Sequence, residues 1–152
     1  MFRLNRLTDY AVVVMAQMAR PGSAVRTAPQ IARETGVPLP TVAKLLNALA
    51  RDSLVTSQRG AAGGYALGKP AETITVAEIV QALEGPIALT ACVDGNSGCE
   101  VESLCPMRGN WDKVNQAIRK ALSEVTLADM SLAALPFEDP IDAQSYEART
   151  SL

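Results

Sequence analysis

At 152 residues, 48% apolar and 20% charged, the chain has the size and balance of one modest globular domain with short appendages, and aromatics at 4% leave Ala, Val, Leu and Ile to build its core. No apolar run is long enough to span a membrane, and the opening residues are too polar for a secretory signal, so a cytoplasmic, reducing location without a membrane partner is expected. The net charge of −2 conceals a split: residues 1–70 carry nine Lys/Arg against three acids (+6) and residues 71–152 five against thirteen (−8), which points to a polyanion partner for the first half.

Thr8 is placed to cap a first helix running to about Met18, with Val12, Met15, Ala16 and Ala19 on one face. Pro21-Gly22-Ser23 ends it. Thr27 caps a short second helix with Pro29 in its first turn and Gly36 just past its end. A third helix is expected from about Leu39 to Asp52, burying Val42, Leu45, Leu46 and Leu49. Two helices joined by a Gly-containing turn make a helix-turn-helix, a weak sign on its own. The adjoining segment strengthens it: Leu54–Ser57 and Tyr65–Leu67 read as strands around the turn Arg59-Gly-Ala-Ala-Gly-Gly64. A hairpin directly after a helix-turn-helix is a winged helix, in which Gly60 and Gly63 let backbone approach phosphates and Arg59 can enter a minor groove. Out of that context the glycines would be ordinary turn residues and Arg59 a solvated tip charge.

Thr75-Val-Ala-Glu78 is a capping box opening a helix that Gly85 closes, with Ile79, Val80 and Leu83 inward. A cysteine loop occupies residues 86–105, and a long helix starts near Pro106. In that helix Trp111, Val114, Ile118, Ala121 and Val125 step by three and four. Such a stripe either covers the domain's own core or forms a dimer seam, and palindromic DNA sites favour two-fold proteins. The expected fold is therefore mainly α: a winged helix-turn-helix domain (residues 1–85) with a small two-stranded wing, the cysteine loop (86–105), a long dimerisation helix region (106–130) and an acidic tail (131–152) without periodicity, expected to be disordered.

Cys92, Cys99 and Cys105 are the chain's three cysteines, in the spacing C-x6-C-x5-C around a flexible Gly-Asn-Ser-Gly stretch, and the chain has no histidine. Zinc knuckles place cysteines two to four residues apart, so zinc fits poorly. A disulfide would leave one thiol over, and a cysteine nucleophile would lack its usual imidazole base. An iron–sulfur cluster uses all three thiolates, while redox-active thiols and zinc remain open on the residues alone. With no further Cys and no His, a fourth ligand has to be a weaker donor such as oxygen, which would leave the cluster open to attack.

The run Arg59-Gly-Ala-Ala-Gly-Gly-Tyr-Ala-Leu-Gly-Lys-Pro70, the segment Ile74–Gly85, the N-terminal Leu4-x-x-Leu-Thr-Asp-Tyr-Ala11 and the cysteine loop together resemble the winged-helix regulators typified by IscR, NsrR and RirA, over roughly residues 1–125. Within that family the sequence is most similar to regulators of the SUF cluster-assembly system. The resemblance implies that Cys92, Cys99 and Cys105 ligate a cluster. IscR-type members place a histidine three residues after the last cysteine, where this chain has Arg108. NsrR-type members use an aspartate early in the first helix of the other subunit, and Asp9 stands at that position; in itself, Asp9 could equally serve the helix dipole. Asp94, Glu100 and Glu102 are reserve donors. The resemblance also puts the helix-turn-helix at about residues 28–51, with Thr41 and Lys44 able to face the major groove.

These readings combine into a homodimeric, non-enzymatic transcription factor. It carries an iron–sulfur cluster (2Fe–2S or 4Fe–4S), represses cluster-assembly genes and binds palindromic double-stranded DNA. Its rivals are a cluster-free thiol-redox or small-molecule sensor of the same fold, a nitric-oxide-sensing repressor, and an enzyme or cluster carrier.

Overall fold

A computed structural model of the chain describes residues 3–22, 24–93, 104–107 and 109–131. The first helix, α1 (Arg6–Met18), is capped by Asn5, whose side chain accepts from the Leu7 amide. Thr8, expected as the cap, sits inside the helix, and its hydroxyl is taken by the Glu84 carboxylate. The inward stripe of α1 is Ala11, Val14, Met15 and Met18, while Val12, Ala16 and Ala19 are half-buried at its flank. Moving the cap back to Asn5 leaves Met15 as the only member of the expected stripe that is fully inward.

Helix α2 (Ala28–Thr35) opens with a reciprocal capping box between Thr27 and Gln30 and ends at Gly36 in the left-handed conformation. Helix α3 (Leu39–Arg51) buries Val42, Leu45, Leu46 and Leu49, as its spacing predicts. The wing pairs β1 (Val55–Gln58) with β2 (Gly64–Leu67) antiparallel, Val55 opposite Leu67 and Gln58 opposite Gly64. Arg26, just before α2, adds a two-way backbone bridge to Tyr65, at 2.9 and 2.8 Å. The wing is thereby fastened to the helix-turn-helix as well as to itself.

A short 3-10 turn, Ala71–Thr73, leads into α4 (Val76–Glu84), opened by the Thr75/Glu78 capping box. Glu78 also accepts from Lys69 at 2.6 Å, tying the end of the wing to this helix. Partial burial pushes the Glu78 carboxyl up, but the Lys69 ammonium and the Thr75 amide outweigh it and hold the group below the usual carboxylate range. Helix α5 (Asn110–Glu124) starts four residues later than Pro106, after Gly109 in a left-handed turn. Beyond it the chain folds back on α4: Val76 N–H donates to the Val125 carbonyl and Leu127 N–H to the Ile74 carbonyl. The last helix, α6 (Leu127–Ser131), returns Leu127 to full burial against the core of the first half. That core joins α1, α2, α3, β1, the residue Ile74, α4 and α6, and a smaller one gathers Val76, Ala77, Val80 and Ile87 with Leu4, Ile118 and Leu122. The architecture is a mainly helical winged helix with a two-stranded wing. The expected tail lies outside the described residues, apart from Ser131 at the end of α6. Among the described residues, no helix is long and apolar enough to cross a membrane.

Candidate nucleic-acid interface and cysteine site

Burial of one face of α3 decides what the other can do. With Leu45, Leu46 and Leu49 locked in the core, Lys44 is left exposed and Thr41, three residues earlier, half-exposed. Asn47 and Arg51 continue that exposed side at steps of three and four. Asn47 escaped the sequence reading, though its spacing from Lys44 was the available signal. A carboxamide there can pair with an adenine edge and an ammonium or guanidinium with guanine or phosphate. Arg59 follows β1 directly and is exposed at the wing. Gly60 has φ 113, a region that side chains disfavour, and a Cβ on Gly63 would lie 2.5 Å from the Gln58 carbonyl. The hairpin therefore demands glycine at both positions whatever else approaches them.

Two of the nine cations in residues 1–70 are engaged elsewhere. Arg26, largely buried, pairs with Glu34, and Lys69 pairs with Glu78. Glu34 is held below the usual carboxylate range, first by the Gln17 amide and also by Arg26.

The cysteine loop is anchored before it reaches its first thiol. Asn115 of α5, only 2% exposed, donates to the Ile87 carbonyl at 2.9 Å and accepts from the Leu89 amide at 3.1 Å. Cys92 comes next, half-exposed, with the Thr90 hydroxyl 3.1 Å from its sulfur. Cys105 is also half-exposed, and both thiols are free. Cys99, together with Asp94, Glu100, Glu102 and Arg108, lies outside the described residues. Asp9 is exposed in the first turn of α1, beside Arg3, Leu4, Arg6 and Tyr10. Among the described residues no three His, Cys, Asp or Glu side chains come close enough to hold a metal, so the subunit does not bring Asp9 together with Cys92 and Cys105. The donor chemistry nonetheless suits a thiophilic group: two accessible thiols bracket the stretch that carries the third.

A helix-turn-helix with an exposed polar recognition face and a basic wing defines a DNA-binding transcriptional regulator rather than an enzyme. The family model of Rrf2, iron-dependent transcriptional regulators, matches residues 4–132, and the chain belongs to that family. It is 30% identical over 151 residues, 98% of this chain and 93% of the relative, to an HTH-type transcriptional regulator of Mycobacterium tuberculosis strain H37Rv. Among solved structures it is similar to CymR, the global cysteine regulator of B. subtilis, at TM-score 0.67 and 27% identity, covering 86% of this chain and 97% of that one. It is likewise similar to T. potens IscR, at TM-score 0.64 and 28% identity, covering 85% of each chain.

Proposed function

We propose that this regulator is a homodimeric repressor of iron–sulfur cluster-assembly genes that acts on palindromic operator DNA and senses a bound iron–sulfur cluster. Cys92, Cys99 and Cys105 supply three thiolates, and Asp9, donated by the partner subunit, supplies a weaker carboxylate. The observation that carries this reading is the division of donors: Cys92 and Cys105 are half-exposed on an anchored loop, while Asp9 stands exposed on α1 and, among the described residues, does not group with them. A two-fold assembly is the direct way to unite them. Bound there, a cluster of either 2Fe–2S or 4Fe–4S type supplies a cross-link sensitive to iron, oxygen or nitric oxide. Asp9 holds the first turn of α1 to the partner's loop, and α1 packs on α2, α3 and β2, the elements that present Lys44 and Arg59. Thr41, Lys44 and Arg59 contact DNA, with the wing backbone at Gly60 and Gly63 lying against phosphates.

Anaerobic purification tests the assignment. The protein is expected to be brown, with iron and sulfide in matching amounts, and Cys92→Ala, Cys99→Ala and Cys105→Ala each lose both. Asp9→Ala keeps iron but loses it faster in air. Cluster loss changes operator affinity by about 5- to 150-fold, the usual range of allosteric coupling. Colourless protein with stoichiometric zinc sinks the proposal. The likeness to a global cysteine regulator and the Thr90 hydroxyl beside the Cys92 sulfur favour one second reading, a cluster-free thiol sensor. That reading predicts reversible disulfide formation in iron-free protein.

A further inference from the structure

The C-terminus of α4 and the N-terminus of α1 meet at one carboxylate. Glu84, the last residue of α4, accepts through Oε1 from the Asn5 backbone amide at 3.0 Å and from the Thr8 hydroxyl. Asn5 is the cap of α1, and Thr8 is 0% exposed, one of two buried polar residues among those described. The other is Asn115, which clamps the chain at Ile87 and Leu89, a few residues after Glu84. Leu4 packs with Ile87 in the same small core, so the joint has an apolar half beside the polar one. The stretch from Glu84 to Leu89 is thus fixed at one end to α1 and at the other to α5. It includes the start of the cysteine loop, and Cys92 follows three residues on.

We propose that Glu84 is a positioning residue that couples the state of the cysteine loop to the first turn of α1, and through α1 to the DNA-binding elements. The proposal leans on the proposed function only for what occupies the loop. A carboxylate that closes the start of a helix from a neighbouring element stabilises that turn through charge and hydrogen bonds together. Here those bonds also govern where Asp9, one residue after Thr8, is held. A displacement of the stretch from Gly85 to Val93 pulls on Glu84 and so on Asn5 and Thr8. Without the carboxylate such a displacement no longer reaches α1.

Hydrogen–deuterium exchange over residues 4–10 of the full chain tests this in three loop states: reduced thiols, anaerobic reconstitution with iron and sulfide, and alkylation with iodoacetamide. In the wild type, exchange is expected to differ between the reduced and the other states by about fivefold or more, the lower end of allosteric coupling. Glu84→Ala should exchange fast in all states with the difference gone, and Glu84→Gln, which keeps an acceptor oxygen in place, should restore it. A purely structural role would accelerate exchange equally and leave the difference intact, which overturns the proposal. So does a wild type whose exchange ignores both loop modifications. If the protein takes up no iron, the cluster reading fails, and the alkylated-versus-reduced comparison still decides the role of Glu84. Should Glu84→Ala fail to fold, Thr8→Val, which keeps the buried shape and removes one donor, is expected to fold and to diminish the state dependence; an undiminished difference counts against the coupling.

Discussion

At the residue scale, Asn115 shows how one buried polar side chain can hold the start of the cysteine loop in place. Its carboxamide satisfies a backbone carbonyl and a backbone amide at once, at Ile87 and Leu89. Replacing it with Ala leaves both partners without it in a partly buried site, which costs about 1–3 kcal/mol per unsatisfied group. Asn115→Ala is therefore expected to lower the thermal midpoint measurably and to speed alkylation of Cys92 as the loop loosens. An unchanged midpoint with unchanged thiol reactivity would mean that the loop is held elsewhere. The sequence reading passed over Asn115 because a polar residue interrupts a stripe counted by its apolar members. Thr8 is a related case: a Thr ahead of an apolar run resembles a cap, and only the tertiary position of Glu84 shows that its hydroxyl is used across the fold. Where both partners are local, as in Thr27/Gln30 and Thr75/Glu78, the capping boxes were legible from spacing alone.

At the element scale, α5 carries two apolar faces side by side. Asn115, Ile118 and Leu122, spaced three and four apart, turn inward to the loop and to the smaller core. Trp111 and Val114 stay 41% and 45% exposed, and Ala121 is exposed beside them. Of the five expected stripe positions Ile118 alone packs inward, while Trp111, Val114, Ala121 and Val125 are exposed, so the stripe runs along the edge of the inward face rather than over the core. A second copy of α5 packed on Trp111 and Val114 would bury that face in an isologous seam. Val114→Glu, which places charge in such a seam and solvated charge in a monomer, is expected to shift the sedimentation mass from dimer to monomer. Its helical circular dichroism should be unaffected. If Val114→Glu sediments as the wild type does, the seam lies on another element. The helix-turn-helix and wing were legible because their signals are local: caps, a glycine turn and two short strand-forming runs either side of it. The return of α6 to the core was not, since a five-residue helix carries too short a pattern, and its place depends on backbone bonds from Val125 and Leu127 to residues about fifty positions earlier.

For the whole molecule, the charge split is the property that governs encounter with DNA, and the fold refines its arithmetic. Of nine cations in the basic half, Arg26 and Lys69 are spent on Glu34 and Glu78. Arg3 and Arg6 lie beside Asp9. Arg20 and Arg33 are exposed but lie outside α3 and the wing, so Lys44 and Arg51 on α3 and Arg59 on the wing are the exposed cations of those two elements. If each neutralises one phosphate, a dimer makes six such contacts, and the logarithm of affinity should fall against the logarithm of salt with a slope of about −5. Arg59→Ala removes one contact per subunit, so the slope should become shallower by about 2, with affinity lost on every sequence alike. Should the slope stay put while discrimination between operators collapses, Arg59 reads a base edge instead. Because these cations belong to the half that folds around α1, the proposed coupling from the cysteine loop to α1 would move all of them together. On the proposed function, the slope measured with the loop thiols reduced and after reconstitution with iron and sulfide should therefore differ, since a tilt of two recognition helices in a dimer changes how many phosphates six cations can reach at once.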